Sequence, residues 1–172
     1  MKYLLESSKF NEIHQICQQY GIENYTLNGD GSIDVDGDVD LTNRGLSKLP
    51  LKFGIVIVDF YCHNNQLTSL RGAPREVGAN FYCSNNRLTS LRGAPEEVGV
   101  NFYCYGNQLT SLVGAPRKLG GGFYCSNNPL PQLILDNLGI IEEIIKNQED
   151  YSIWRRDGTL DEFRFWEMMR EI

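Results

Sequence analysis

The stretch "NFYCSNNRLTSLRGAPEEVG", residues 80–99, is preceded by "DFYCHNNQLTSLRGAPREVG" (59–78) and followed by "NFYCYGNQLTSLVGAPRKLG" (101–120). One phrase is thus written three times in succession, always 21 residues apart. Cys62, Cys83, Cys104 and Cys125 keep that step. So do Phe60, Phe81, Phe102 and Phe123, and the asparagines Asn65, Asn86, Asn107 and Asn128. Two leucine rows, from Leu67 to Leu130 and from Leu70 to Leu133, repeat in the same way. A weaker copy extends backward: Val39, Leu41, Leu46 and Leu49 sit 21 before Phe60, Cys62, Leu67 and Leu70, with Arg44 where an asparagine would fall. Terminal repeats are normally atypical, because one of their faces meets a cap instead of another copy.

Inside each unit, Phe and Cys are two apart and share one face of a short strand, with Tyr pointing the other way. A strand of about three residues is not stable alone. Stacked at about 4.8 Å on identical neighbours, it becomes a rung of a parallel sheet. The return segment, "RGAPREV" in the first full copy, is too short for a helix. It must cross back as extended or turn-like backbone, with Pro74, Pro95 and Pro116 fixing the bend.

The phrase "FYCSNNRLTSL" and its copies resemble the leucine-rich repeat pattern L-x-L-x-x-N-x-L-x-x-L. The short proline-bearing return is similar to that of bacterial effector repeats, and the wording "LTSLxGAP…VGxNFYCSNN" is similar to small repeat proteins of tailed phages and their hosts. The resemblance covers about residues 37–133 and departs at Cys, which replaces the usual aliphatic residue after Tyr. It implies an α/β solenoid, a leucine-rich repeat fold with short parallel strands on its concave face. The expected division is an N-terminal helix and hairpin cap (1–36), the repeats (37–133) and a two-helix C-terminal cap (134–172).

Each row has its own chemistry. The asparagines should point inward after each strand and bond to backbone of their own and neighbouring turns, because a buried amide without partners costs several kcal/mol. Four cysteines in register suggest metal at first sight. Zinc wants thiolates converging on one point, whereas a stacked row holds sulfurs in a line about 5 Å apart. Core packing suits cysteine better, and neither metal nor cofactor is expected. Cys17 is expected in the N-terminal core.

Tyr61, Tyr82, Tyr103 and Tyr124 should align on the concave face, with Asp40 at their place in the cap. Tyrosine offers rigid area and a hydroxyl, and is favoured at binding hot spots. Beside the column run Asp59, Asn80, Asn101 and Gly122. On the other side run His63, Ser84, Tyr105 and Ser126, and farther out Arg87. His63 and Tyr105 interrupt the serine row and are the candidates for specificity. The expected partner-binding set is therefore Tyr61, Tyr82, Tyr103, Tyr124, His63, Tyr105, Arg87, Asn80 and Asn101.

"SSKFNEIHQICQQYG" places Phe10, Ile13, Ile16, Cys17 and Tyr20 at helical spacing, with Ser7 or Ser8 as cap and Gly21 as stop. "YTLNGDGSIDVDGDVDL" alternates apolar and polar through an Asn-Gly-Asp-Gly turn and reads as a hairpin. Its aspartates resemble a calcium loop, but no register supplies both the sixth-place glycine and the closing glutamate. The segment reads better as a solvated strand face or an acidic patch for a basic partner. At the far end, Ile140, Ile141, Ile144 and Ile145 mark one helix. A second opens with Thr159 and Glu162 as a capping box. Trp154, Leu160, Phe163, Trp166 and Met169 are expected to close the solenoid, leaving Phe165 and Met168 on another face.

The net charge is −6, and the acids concentrate in the two ends. Affinity from phosphate contacts with nucleic acid would be small. There is no membrane span or signal-peptide core, so the cytoplasm is the default location. No nucleophile motif, phosphate-binding loop or metal-ligand pair appears, and the two histidines are far apart in sequence. The expectation is a non-enzymatic protein-interaction module. The phage resemblance implies an inhibitor or adaptor acting on a host protein, monomeric or weakly self-associating, in the host cytoplasm. Single-stranded nucleic-acid binding through the tyrosines and a self-associating structural role are the alternatives.

Overall fold

The computed structural model describes residues 2–172, with side chains from residue 10 onward. The chain forms a β-solenoid of about four turns with helices at both ends. Helix α1 (Lys2–Tyr20) leads into the strands β1 (Tyr25–Leu27) and β2 (Ile33–Val35). Each later coil contributes two short strands. One series is β3 (Val39–Asp40), β5 (Phe60–Tyr61), β7 (Phe81–Tyr82), β9 (Phe102–Tyr103) and β11 (Phe123–Tyr124). The other is β4 (Phe53–Val56), β6 (Glu76–Val77), β8 (Glu97–Val98) and β10 (Lys118–Leu119). The first series makes a five-stranded parallel sheet. The second joins β2 and β1 in a six-stranded sheet.

The 21-residue period is the register of both sheets. Phe60 pairs with Phe81, Phe81 with Phe102 and Phe102 with Phe123, while Val77 pairs with Val98. The degenerate first copy is a true rung, since Val39 pairs with Phe60 and Asp40 with Tyr61. The return segment crosses back as extended backbone, as its length requires, and pairs well enough to make a second sheet. Between the sheets, identical side chains stack in columns. Phenylalanine rings lie nearly parallel, 5.5, 5.1 and 5.2 Å apart from Phe60 to Phe123. The cysteine row and both leucine rows lie beside them, almost entirely buried except for Leu133 at the last turn.

The asparagine ladder is complete. The Asn86 amide donates to the carbonyls of Cys62 and Cys83 (3.0 and 3.1 Å) and its Oδ1 accepts from Leu67 N (2.9 Å). Asn107 and Asn128 repeat the arrangement one and two rungs on. Each buried amide therefore ties three segments of chain together, and among the described residues no fully enclosed side-chain N or O is left without a partner.

Two further columns are dictated by backbone. Asn43, Asn64, Asn85, Gly106 and Asn127 all take left-handed φ of 53–67°, a conformation that asparagine and glycine tolerate. Gly78, Gly99 and Gly120 pack so tightly that an added Cβ on Gly99 would sit 2.0 Å from the carbonyl oxygen of Gly78. Only a residue without a side chain lets the coils close there.

At the N-terminal end, Ile13 and Cys17 of α1 cover the first coil, and Gly21 ends the helix at φ 66°. Helix α1 begins at Lys2, so Ser7 and Ser8 lie within it and do not cap it. Ile16 and Tyr20 are half-buried and Phe10 is exposed. The hairpin forms as expected, with Gly31 N bonded to Asn28 O across its turn. The acidic run that follows is built into the rungs: Asp34 accepts from Ile55 N (2.8 Å) and Asp38 from Asp59 N (2.9 Å).

The C-terminal cap comprises α2 (Gln132–Leu135), a 3₁₀ turn over Leu138–Ile140, α3 (Ile141–Asn147) and α4 (Glu162–Met169). Two details differ from the sequence expectation. Asp161, not Thr159, caps α4 by accepting from Arg164 N, because Thr159 is held by Asp157 through its N–H and its hydroxyl. The start of the helix sets which face points inward. Phe165 and Met168 are fully buried, whereas Phe163 is 73 % exposed and Trp166 faces solvent. Trp154, Leu160 and Met169 do pack against the core. No helix among the described residues is long and apolar enough to cross a membrane.

Candidate functional site: the tyrosine column

Because Phe, Tyr and Cys alternate along each strand, Phe and Cys go inward and Tyr goes out. Tyr61, Tyr82, Tyr103 and Tyr124 form one column, with ring centroids 4.7, 4.6 and 4.7 Å apart and planes within 10° of parallel. These spacings equal the rung repeat, so the rings are set by the backbone and have little freedom to rotate. The first three are half-buried. Tyr124, at the end of the stack, is 47 % exposed. The inner rings cover one another's faces and present edges and hydroxyls outward.

The row beside the column is a second, more exposed ladder. Asn80 donates both its backbone N–H and its amide to Asp59 Oδ1 (2.7 and 2.9 Å). Asn101 does the same to Asn80, at 3.1 Å each, and Gly122 N closes the row on Asn101 Oδ1 (2.8 Å). Asn80 and Asn101 thus lie next to the tyrosines, but their amides are largely taken up in holding adjacent turns together. Asp59 also accepts the Tyr61 hydroxyl (2.7 Å). Burial pushes the Asp59 carboxyl up, but the bonds from Tyr61 and Asn80 outweigh it and hold it below the usual carboxylate range. The same contact, followed by burial, raises the Tyr61 phenol well above its ordinary value. Burial raises that of Tyr82.

On the other side, His63 packs against two rings of the column, 6.1 Å from Tyr61 and 6.0 Å from Tyr82. Its Nδ1 lies 3.4 Å from the Thr42 hydroxyl. Burial lowers its pKa, and the Asp40 carboxylate opposes that shift in part. Tyr105 occupies the same row two rungs on and is exposed, as is Arg87. The sequence-derived set is therefore brought together on one side of one sheet, with Arg87 farthest out along the turn.

The cysteines stand apart from this surface. All five thiols are free and buried, and burial pushes those of Cys62, Cys83 and Cys104 far up and that of Cys125 up to about 11. Thiols held protonated in a close-packed column are poor nucleophiles and poor ligands.

One feature was missed by the sequence reading. A groove of about 440 Å³ runs along the second sheet, floored by Gly78, Gly99 and Gly120 and bordered by Glu76, Glu97 and Lys118. Its only sequence signal is the recurring Val-Gly or Leu-Gly pair that ends each repeat. Comparison of this chain with protein-family models, with curated proteins and with solved structures finds no match.

Proposed function

We propose that this chain is a leucine-rich-repeat-type interaction module that holds a protein partner on its tyrosine-bearing sheet face and performs no chemistry there. The observation that carries the reading is the pre-ordered phenol column. Ring edges and hydroxyls recur every 4.6–4.7 Å on a scaffold that has already lost their rotamer freedom. A surface that needs no ordering on contact loses less entropy when it binds. His63 and Tyr105 break the regularity of the face and give a partner its register. The phage-like wording of the repeats adds that the partner is a host defence or regulatory protein, met in the cytoplasm.

The stacking also weighs between alternatives. Base stacking requires open ring faces, and here only the ends of the column offer one. Self-association is the stronger alternative, because Phe163 and Trp166 are exposed at the C-terminal end. Light scattering across protein concentrations measures it directly.

The test is affinity capture from the native host with wild-type protein and with a Tyr82→Ala/Tyr103→Ala variant whose melting curve shows it folded. A protein retained by the wild type and lost from the variant supports the reading. Equal recovery on both eliminates the tyrosine face as the contact.

A further inference from the structure

A second site lies at the C-terminal end, between the return loops of the last repeats and the cap. Two adjoining cavities of about 270 and 210 Å³ open there and share Arg92, Val113 and Arg156 as walls. Trp154 forms a side of the first, and Ser111 lines the second. Two other charged groups on the walls are already paired: Arg117 holds Glu149, and Arg155 holds Asp161. Arg92 and Arg156 hold no carboxylate among the described residues. In a chain of net charge −6, two unpaired guanidiniums on one cleft are a local reversal of sign.

Two buried polar side chains face the same cleft. Gln148 is only 4 % exposed. Its Oε1 accepts the Trp154 indole N–H at 2.7 Å, which fixes the amide orientation and turns Nε2 away as a donor. Nε2 has no partner among the described residues. Ser111 is 3 % exposed, and its hydroxyl is likewise unpartnered there. Among the described residues no fully enclosed side-chain N or O lacks a partner, so both groups reach the cleft opening. Buried polar groups are normally satisfied. Arg92, Arg156 and Gln148 Nε2 can only donate, and Ser111 is free to donate.

We propose that this cleft binds a small phosphate monoester with a flat body, the phosphate on Arg92 and Arg156 and the body against Trp154. Guanidinium forks match phosphate oxygens. Three terminal oxygens can serve four donor groups more fully than the two of a carboxylate. Asp157 also lines the second cavity, but Thr159 engages it through N–H and hydroxyl. Glu149 lines the first cavity and is held by Arg117, so the guanidiniums of Arg92, Arg155 and Arg156 stand against two engaged carboxylates and leave the cleft positive.

The experiment is calorimetric titration of the full chain at low salt with adenosine monophosphate, inorganic phosphate and adenosine. It is repeated on Arg92→Ala, Arg156→Ala and, as a control, Arg71→Ala one rung away. The expected result is saturable binding of the monophosphate. Adenosine should bind at least about tenfold more weakly. Either cleft variant should weaken the monophosphate by about tenfold, while Arg71→Ala leaves it unchanged. Inorganic phosphate binding as tightly as the ester, with the same response to the variants, identifies free phosphate as the ligand and still supports the site. No binding up to about 10 mM, binding indifferent to both cleft variants, or adenosine matching the monophosphate overturns it.

Discussion

At the scale of the residue, the buried amides explain most of the solenoid's precision. Asn107 Oδ1 accepts from Leu88 N, while its amide bridges Cys83 and Cys104. Asn107→Ala orphans the Leu88 donor inside the core, and a loss of about 3 kcal/mol is expected in urea unfolding. Asn101→Ala should cost about 1 kcal/mol, since its half-exposed partners can turn to water. Similar losses at the two positions would show that burial is not what separates the ladders. His63 supplies a pH signature. Its pKa lies below 6.5 because burial penalises the imidazolium more than Asp40 favours it. The unfolded chain therefore takes up the proton first as pH falls. The stability tied to neutral His63 is present above pH 6.5 and is lost as pH drops through the folded-state value. Proton NMR should find its midpoint below 6.5, and His63→Asn should flatten that part of the pH–stability curve; a midpoint above 6.5 would contradict the assignment. Most of these roles are legible in the sequence, because an inward amide or thiol repeated every 21 residues can only stack on itself. The bonds of Asn80 and Asn101 to the next rung were not, since an exposed asparagine has the same spacing whether it binds a partner or its neighbour.

At the scale of the element, every strand has only two to four residues and no independent stability. What makes it a strand is the identical strand on either side, so anything that forces rungs apart acts on both sheets together. Gly99 is the sharpest case. An alanine Cβ there would stand 2.0 Å from the Gly78 carbonyl oxygen, and that carbonyl is backbone that cannot swing away. Gly99→Ala is expected to cost about 4 kcal/mol or to prevent folding, read by circular dichroism and thermal melting. Gly139→Ala, in open space within the cap, should change little and serves as the control. A melting temperature for Gly99→Ala close to wild type would mean that the coils are not packed this closely. The last strand shows the same dependence from its open side. No further coil follows β11, and the Glu142 carboxylate accepts from Phe123 N (3.1 Å) where the next rung's carbonyl would stand. That substitution of a side chain for a strand blunts the sheet edge.

At the scale of the whole molecule, the repeats form a one-dimensional stack whose ends are closed by unrelated pieces of chain. The C-terminal closure rests on Phe165 and Met168. Phe165→Ala should cost about 3–5 kcal/mol, whereas Phe163→Ser, at a side chain 73 % exposed, should be nearly neutral in chemical denaturation. The reverse ranking would restore the face expected from sequence alone. Phe163 and Trp166 make an i,i+3 pair just as Phe165 and Met168 do, so periodicity fits either choice. The amino-acid sequence by itself determined the repeat: the 21-residue step, the inward columns, the outward tyrosines, the hairpin and the presence of helical caps. The columns follow from contacts between copies of one phrase, whose pairing is written in their spacing, and the hairpin and helices from local turn residues and helical spacing. Tertiary structure alone decided the inner face of α4, the glycine-floored groove and the meeting of Arg92, Arg156, Ser111 and Gln148. Those contacts join segments with no periodic relation, so only the docking of the cap on the last coil fixes them.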